Sequence, residues 1–395
     1  DALSATQRRA LALRGVRRRF HKHVIVLRNR CGCWCCRRPV FALTTHPHIA
    51  SVRAATLMKH PPPRRGIISP MTKRDAVIDA LKFRRPAYVP WEVSLTIDCR
   101  GRLADHLGTD DLSEFLDGHF LELGSDIGRF EPVDEDHVRD LYGVLWDRSV
   151  DKDIGTPVDW PIKTPADLDG YQWPDATDDS WYEGMPEMLA ACPGRFSRFP
   201  VGFSLYERAW TMRGMSALLM DMVERPEFVD RLLGAIVEHN LIQIHRALDM
   251  GVDCIHFGDD YGMQTGLIMG ADLWRRFFKP NLARMFQPVR DAGKCVYLHS
   301  CGRVQELFDD LVEIGLNMFN PFQPEVMDVF PLKKEYHGRL AFHGGMGTQK
   351  LMSLGTPDDV RDMTQRLIGA GSNGGYVFSP SHAVPPDVPP ENIIT

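Results

Sequence analysis

No apolar run in the 395-residue chain is long enough to span a bilayer, and VIVL at 24–27 is too short for the core of a secretion signal. The chain therefore reads as soluble and cytoplasmic. Cysteine is sparse as well. Of nine residues, four crowd into RCGCWCCRR, while Cys99, Cys192, Cys254, Cys295 and Cys301 are scattered without a disulfide-like framework, a pattern suited to a reducing compartment. Acidic residues are almost missing from the first 70 positions, where one acid faces 13 Arg and 2 Lys. That segment carries +14 and the remainder −19, which together give the formal −5. The acidic remainder has no basic helix and no aromatic-studded basic strand, so it offers no footprint for a nucleic-acid backbone.

Residues 1–70 show neither helical nor strand periodicity, as in disordered or non-native sequence. Within them only Cys33 and Cys36 make a CxxC. Zinc binding with His21, His23, His46 or His48 is open, but the paired knuckle is absent. An Arg-rich, acid-poor leader also fits a transit peptide, for which a Cys-rich middle is unusual. The character changes at Met71, where Thr72 and Asp75 form a capping pattern before the amphipathic AVIDAL. Met71 is the expected start of the native protein, and 71–395 is the expected folded domain.

From there short apolar strands alternate with helices. Strands are expected at 87–93, 195–204, 252–258, 294–300, 316–320, 339–345 and 375–380, with helices in ERAWTMRGMSALLMDMV, in the long PEFVDRLLGAIVEHNLIQIHRALDMG, and between the later strands. Alternation of this kind implies parallel pairing, and the number of units points to an α/β (β/α)8 TIM barrel, the alternative being a doubly wound sheet. The final PPENIIT reads as the start of a helix, so the barrel is expected to lack its last helix through C-terminal truncation.

A parallel barrel presents its chemistry at the C-terminal ends of its strands. There the sequence places Asp259 and Asp260, His299 and Cys301, Asn320, His343 and His382. In VYLHSCG the imidazole and thiol stand two positions apart, so an extended backbone turns both to one side and Ser300 to the other. Zn²⁺ accepts both donor types, and His382 is the candidate third ligand. Asp259 and Asp260 have several possible roles: orienting His299, holding a second cation, acting as general base, or simply capping the next helix. Asp126 follows a short apolar segment and is a further candidate. Arg84, Arg85, Arg100, Arg102, Arg208 and Arg213 are possible clamps for carboxylates or phosphates.

These residues, with DLVEIGLNMFNPFQPE, LAFHGGMGTQ, SPSHAVPPDVPPENI and FGDDYGMQTGLIMGADLWRRFFKPNL, resemble the uroporphyrinogen decarboxylase superfamily across 71–395. The resemblance implies a (β/α)8 barrel with its site at the mouth and one of two chemistries. One branch decarboxylates the acetate groups of uroporphyrinogen without a cofactor. The other comprises zinc-dependent methyltransferases that move a methyl group between a corrinoid and a thiol such as coenzyme M, with relatives in O- and N-demethylation systems.

Against the first branch, the arginine signature RQAGRYLP is replaced by DCRGRLAD, which keeps Arg100 and Arg102, and the tyrosine position falls on Met215. Asp126 and His382 match that branch. For the second, His299 and Cys301 stand where the His-x-Cys zinc ligands stand, and His382 replaces a third-ligand cysteine. The preferred expectation is zinc-assisted methyl transfer, with a corrinoid on a partner protein as donor and a small thiol or similar acceptor. Asp259 or Asp260 would support the ligands or accept a proton, with Asp126 and His343 as further catalytic candidates and Arg100, Arg102 and Asn320 binding substrate. The alternatives are cofactor-free decarboxylation of an acid-rich tetrapyrrole and a barrel that only binds a corrinoid or a partner.

Overall fold

The computed structural model describes residues 71–124 and 129–395. The expectations for the basic segment 1–70, its CxxC included, lie outside the described residues. Thr72 opens α1 (Lys73–Leu81) as its sequence dictates: the hydroxyl accepts from the Asp75 amide at 3.1 Å, and the Thr72 amide donates to the Asp75 carboxylate at 3.0 Å. After α2 (Ile97–Leu107) comes strand β1 (Phe120–Glu122), followed by β2 (Phe130–Pro132), β3 (His137–Asp140), β4 (Leu145–Asp147) and β5 (Thr156–Asp159). Short α3 (Met185–Ala191) precedes β6 (Phe196–Val201), α4 (Tyr206–Arg213), α5 (Met215–Glu224) and α6 (Pro226–Asp249). Next are β7 (Cys254–Gly258), the paired short strands β8 (Gly262–Met263) and β9 (Gly266–Leu267), α7 (Ala271–Phe277), α8 (Lys279–Asp291) and β10 (Cys295–His299). The chain continues through α9 (Phe308–Glu313), β11 (Met318–Phe322), α10 (Val329–Glu335), β12 (Ala341–Met346), α11 (Pro357–Gly371), β13 (Tyr376–Pro380) and α12 (Pro390–Ile394).

Seven strands form one parallel sheet in the order β1-β6-β7-β10-β11-β12-β13. The segment expected as a first strand at 87–93 is irregular, because Pro86 and Pro90 have no amide to donate. It nevertheless joins the two edges. Phe378 donates to the Pro90 carbonyl at 2.8 Å, Glu92 donates to Phe378 at 3.0 Å, and on the other side His119 donates to Trp91 at 3.1 Å. The curled sheet is thus of the α/β TIM-barrel type, with this segment at the eighth position.

Strand alternation sorts the interior into layers. Phe120, Phe196, Cys254, Cys295, Met318, Ala341 and Val377 form an apolar floor, which Val77 of α1 plugs from below. Arg74 ties α1 to that end through two bonds to Asp253, at 2.8 and 2.6 Å. Two positions further along the strands stand Glu122, Arg198, His256, Tyr297, Asn320 and His343, and two beyond Tyr297 comes His299.

The antiparallel sheet β2-β3-β4-β5 is an insertion with no counterpart in the expected pattern. Its turn is built on buried Asp140, which accepts from the Tyr142 and Val144 amides and pairs with Arg208 of α4 at 3.2 Å. Arg208 also lies 3.5 Å from the Tyr142 ring centre. Arg213 is committed in the same way, to Asp221 at 2.8 Å and to the Lys163 carbonyl. Both arginines hold the fold together instead of clamping a ligand. The helix expected over ERAWTMRGMSALLMDMV breaks into α4 and α5 at Gly214, whose φ of 86° favours glycine.

Tyr142 reaches α6, its hydroxyl 2.9 Å from His239 Nε2. Burial, and next the charge of Arg208, lower the His239 pKa to about 4. A histidine depressed in the folded state contributes stability that is present above the unfolded value of about 6.5 and is lost as pH falls toward 4. Urea unfolding at pH 7.5 and 4.5 is expected to show a loss of about 2–3 kcal/mol from this group. His239→Gln, which keeps a partner for Tyr142, is expected to flatten that part of the profile.

Candidate functional site

Strand β10 delivers His299 at its end and Cys301 two residues on, while His382 comes from the loop after β13. One donor atom from each of the three lies within 4.8 Å of the others. His299 Nε2 is 3.3 Å from Cys301 Sγ, and the His299 and His382 rings meet edge to face at 5.7 Å. The β10–β11 register sets His299 opposite Asn320. Asn320 Oδ1 lies 2.5 Å from His299 Nδ1, and its Nδ2 donates to the His343 carbonyl at 3.0 Å. Because the amide nitrogen is engaged below, Asn320 presents its oxygen upward. His299 must therefore carry its proton on Nδ1 and turn the Nε2 lone pair toward Cys301.

Ser300 faces away, as alternation requires, and its hydroxyl accepts from the Tyr261 amide at 3.0 Å. Gly302, at φ 84°, lies so close to the Gly262 backbone that a Cβ there would collide with it. Asp260 Oδ1 accepts from the Cys301 amide at 2.7 Å and lies 3.7 Å from His299 Nε2. A cavity of about 500 Å³ opens beside the cluster, lined by Cys301, His382, Gln264, Gln323, Gln349 and Thr348 among others.

Glu207, at the start of α4, completes the electrostatics. Burial, then the charges of Asp260 and Asp259, hold its carboxyl well above the ordinary range. Burial, then Asp260 and Glu207, likewise push the Cys301 thiol up. Burial and the neighbouring His299 pull His382 down. Without a cation this is a neutral thiol and a neutral imidazole beside carboxyl groups. One thiol and two imidazoles are a donor set that fits Zn²⁺, and a bound cation reverses the electrostatic penalty on thiolate and carboxylate.

Asp259 is fully buried and turned from the cluster. It accepts from the Tyr206 and Glu207 amides, at 3.0 and 2.8 Å, and from the Tyr261 hydroxyl at 2.5 Å, so it caps α4. Burial still pushes its pKa up to about 7, against these donors. His343, expected at the rim, lies a layer lower because β12 runs on to Met346. It is 2% exposed, its Nδ1 2.7 Å from the Tyr297 hydroxyl and its ring stacked on Phe120. Arg100 and Arg102 stand exposed on α2. Asp126 lies outside the described residues.

Sequence reasoning missed Glu207 and the polar layer beneath the rim. There Arg198 bonds both Glu92 oxygens, at 2.8 and 3.0 Å, and also Glu122. Burial works against the Arg198 charge, but Glu122 and Glu92 keep it firmly protonated. The one signal was an isolated charge inside an apolar strand, RFSRFPV and FLE.

The sequence profile of the uroporphyrinogen decarboxylase (URO-D) family matches residues 199–395, which hold the whole His–Cys–His cluster with Asp260 and Glu207. The chain belongs to the uroporphyrinogen decarboxylase superfamily. Within the superfamily it is 25% identical over 169 residues to the uroporphyrinogen decarboxylases of two strains of Thermus thermophilus. Those matches cover 41% of this chain and 45% of each relative, so the chain spans less than half the length of the curated relatives it matches. A methyltransferase from Methanosarcina mazei superposes with a TM-score of 0.63 at 15% identity, over 82% of this chain and 96% of that one, and so shares the fold.

The role of Asp259 as a cap is open to a direct check. Asp259→Ala leaves two buried amides and a buried hydroxyl without their acceptor, and urea unfolding is expected to show a loss of about 3 kcal/mol.

Proposed function

We propose that the chain is a zinc-dependent methyltransferase of the URO-D superfamily, moving a methyl group between a corrinoid and a thiol or similar acceptor. The observation that carries the reading is the convergence of His299, Cys301 and His382 on one point, with the His299 lone pair fixed toward it by Asn320. These three residues would hold Zn²⁺, which when bound supplies an open Lewis-acid position that lowers the pKa of an acceptor thiol.

The chain's own residues do the rest. Asn320 keeps His299 in the ligating tautomer. Asp260, half open to solvent and anchored through Oδ1 to the Cys301 amide, receives the thiol proton on its carboxylate. The neutral, glutamine-lined cavity beside Cys301 seats the acceptor. A corrinoid on a partner protein would supply the methyl group, and the acceptor sulfur would take it as the carbon–cobalt bond broke with its electron pair left on the corrinoid.

A second reading is favoured by the two Thermus relatives: cofactor-free decarboxylation in porphyrin metabolism, with Asp126 stabilising a protonated ring and Arg100 and Arg102 holding carboxylates. Metal content separates the two readings.

Metal analysis of the full chain is expected to give about one Zn²⁺ per chain. Cys301→Ala and His382→Ala are expected to lose it while keeping native circular dichroism, and Asn320→Ala is expected to weaken zinc affinity about 10–100-fold. A well-folded chain that takes up no zinc would overturn methyl transfer and leave decarboxylation, to be tested with Asp126→Asn.

A further inference from the structure

Beneath the rim lies a chemically different set of groups to which methyl transfer assigns no task. Glu92, Glu122 and Arg198 form one ion cluster, with His343 Nε2 3.6 Å from Glu92 Oε2. Two carboxylates face one guanidinium, and burial followed by the Arg198 charge hold His256 and His343 far below their ordinary pKa. Two carboxylates against one guanidinium give the layer a formal charge of −1, although burial pushes the Glu122 carboxyl up against the pull of Arg198.

Glu122 is the informative member. Alternation from Phe120 turns it into the barrel at the C-terminal end of β1, and 46% of its side chain is accessible. An inward side chain with that much free surface at the end of its strand opens on the barrel mouth. Arg198 does not depend on it, being bidentate on Glu92. The histidines supply an independent sign. His343 is 2% exposed and its Nε2, aimed at Glu92, has no hydrogen-bond partner, and neither ring nitrogen of His256 has one. Buried polar atoms are nearly always satisfied, so a group of orphans beside two carboxylates that share one guanidinium marks a place for hydrogen-bonding matter from outside the chain.

We propose that this layer binds a cationic nitrogen, an ammonium or protonated amine, on the small molecule whose other end reacts at the His299–Cys301–His382 rim. The assignment of that other end rests on the methyl-transfer reading. The amine N–H groups donate to Glu122, and the positive charge cancels the excess negative one. An anionic end, a sulfonate or carboxylate, meets Glu122 instead, because Arg198 is already occupied by Glu92. His256 stacks on Tyr297 at 4.2 Å and lies 6.4 Å from the His299 ring, so the two layers follow each other closely.

Three probes share a thiol and differ in the charge at the far end: 2-aminoethanethiol, 2-mercaptoethanol and 2-sulfanylethanesulfonate. In calorimetric titration of the zinc-supplied full chain, the aminothiol is expected to bind about tenfold more tightly than the neutral thiol, and the sulfonate most weakly. Glu122→Gln is expected to erase the preference with zinc content unchanged. Equal affinities, or a preference that survives in Glu122→Gln, would overturn the inference. If the chain takes up no zinc the rim reading fails by itself, and n-propylamine against n-propanol on the metal-free chain decides the amine site: selectivity lost in Glu122→Gln supports it, no selectivity overturns it. Should Glu122→Gln fail to fold, Glu122→Asp replaces it, and the wild-type charge series still decides.

Discussion

Every second residue of a strand in a parallel barrel must share the same narrow interior, and the remaining features of this molecule follow from that confinement. Because inward positions advance two residues at a time, the interior is written in layers: an apolar floor under α1, then Glu122, Arg198, His256, Tyr297, Asn320 and His343, then His299 at the end of β10. A polar residue at one inward position cannot be solvated from outside, so its partners come from neighbouring strands. Asn320 shows the result, joining the rim to the layer below through His299 Nδ1 on one side and the His343 carbonyl on the other.

Charge inside such a barrel is stable only when opposed. Desolvation of an unpaired ion costs several kcal/mol even after relaxation, and Arg198 avoids that with Glu92 and Glu122 while covering the rings of Phe120 and Tyr297. At the rim the balance tips the other way. Burial, then Asp260 and Glu207, push the Cys301 thiol up, while burial and the neighbouring carboxylates hold Glu207 up and the Arg208 charge draws it down only in part. The lower layer sets one bonded guanidinium against two carboxylates, whereas the rim sets a thiol and two imidazoles beside its carboxyl groups.

The sequence made much of this legible where the physics is local. Thr72 and Asp75 announce the first cap, and the two-residue spacing of His299 and Cys301 their common side, whereas the helix break at Gly214 went unread inside an otherwise helical stretch. What stayed hidden depends on distance along the chain. Glu92 and Arg198 are 106 residues apart, and no local pattern reveals that their charges cancel. His343 looked like a rim residue because it follows directly on the apolar LAF, but the strand runs three residues past it, to Met346. Asp259 and Asp260 are adjacent and chemically identical. Only the position of the α4 amides separates a helix cap from a group at the cluster. The β2–β5 insertion escaped notice since its strands are only three or four residues long, too short for a period to show.

The contact between Gly262 and Gly302 has a mechanical meaning. Two backbones with no side chain between them, reinforced by the bond from Arg303 to Met263 at 2.8 Å, weld the loops after β7 and β10 into a single jaw. Asp260, His299 and Cys301 ride on that jaw as one rigid piece. His382 belongs to the opposite jaw, in the loop after β13, and is the most exposed of the three donors. The cluster is therefore assembled from one joined pair of loops and one separate loop, and the side that faces solvent is that of His382.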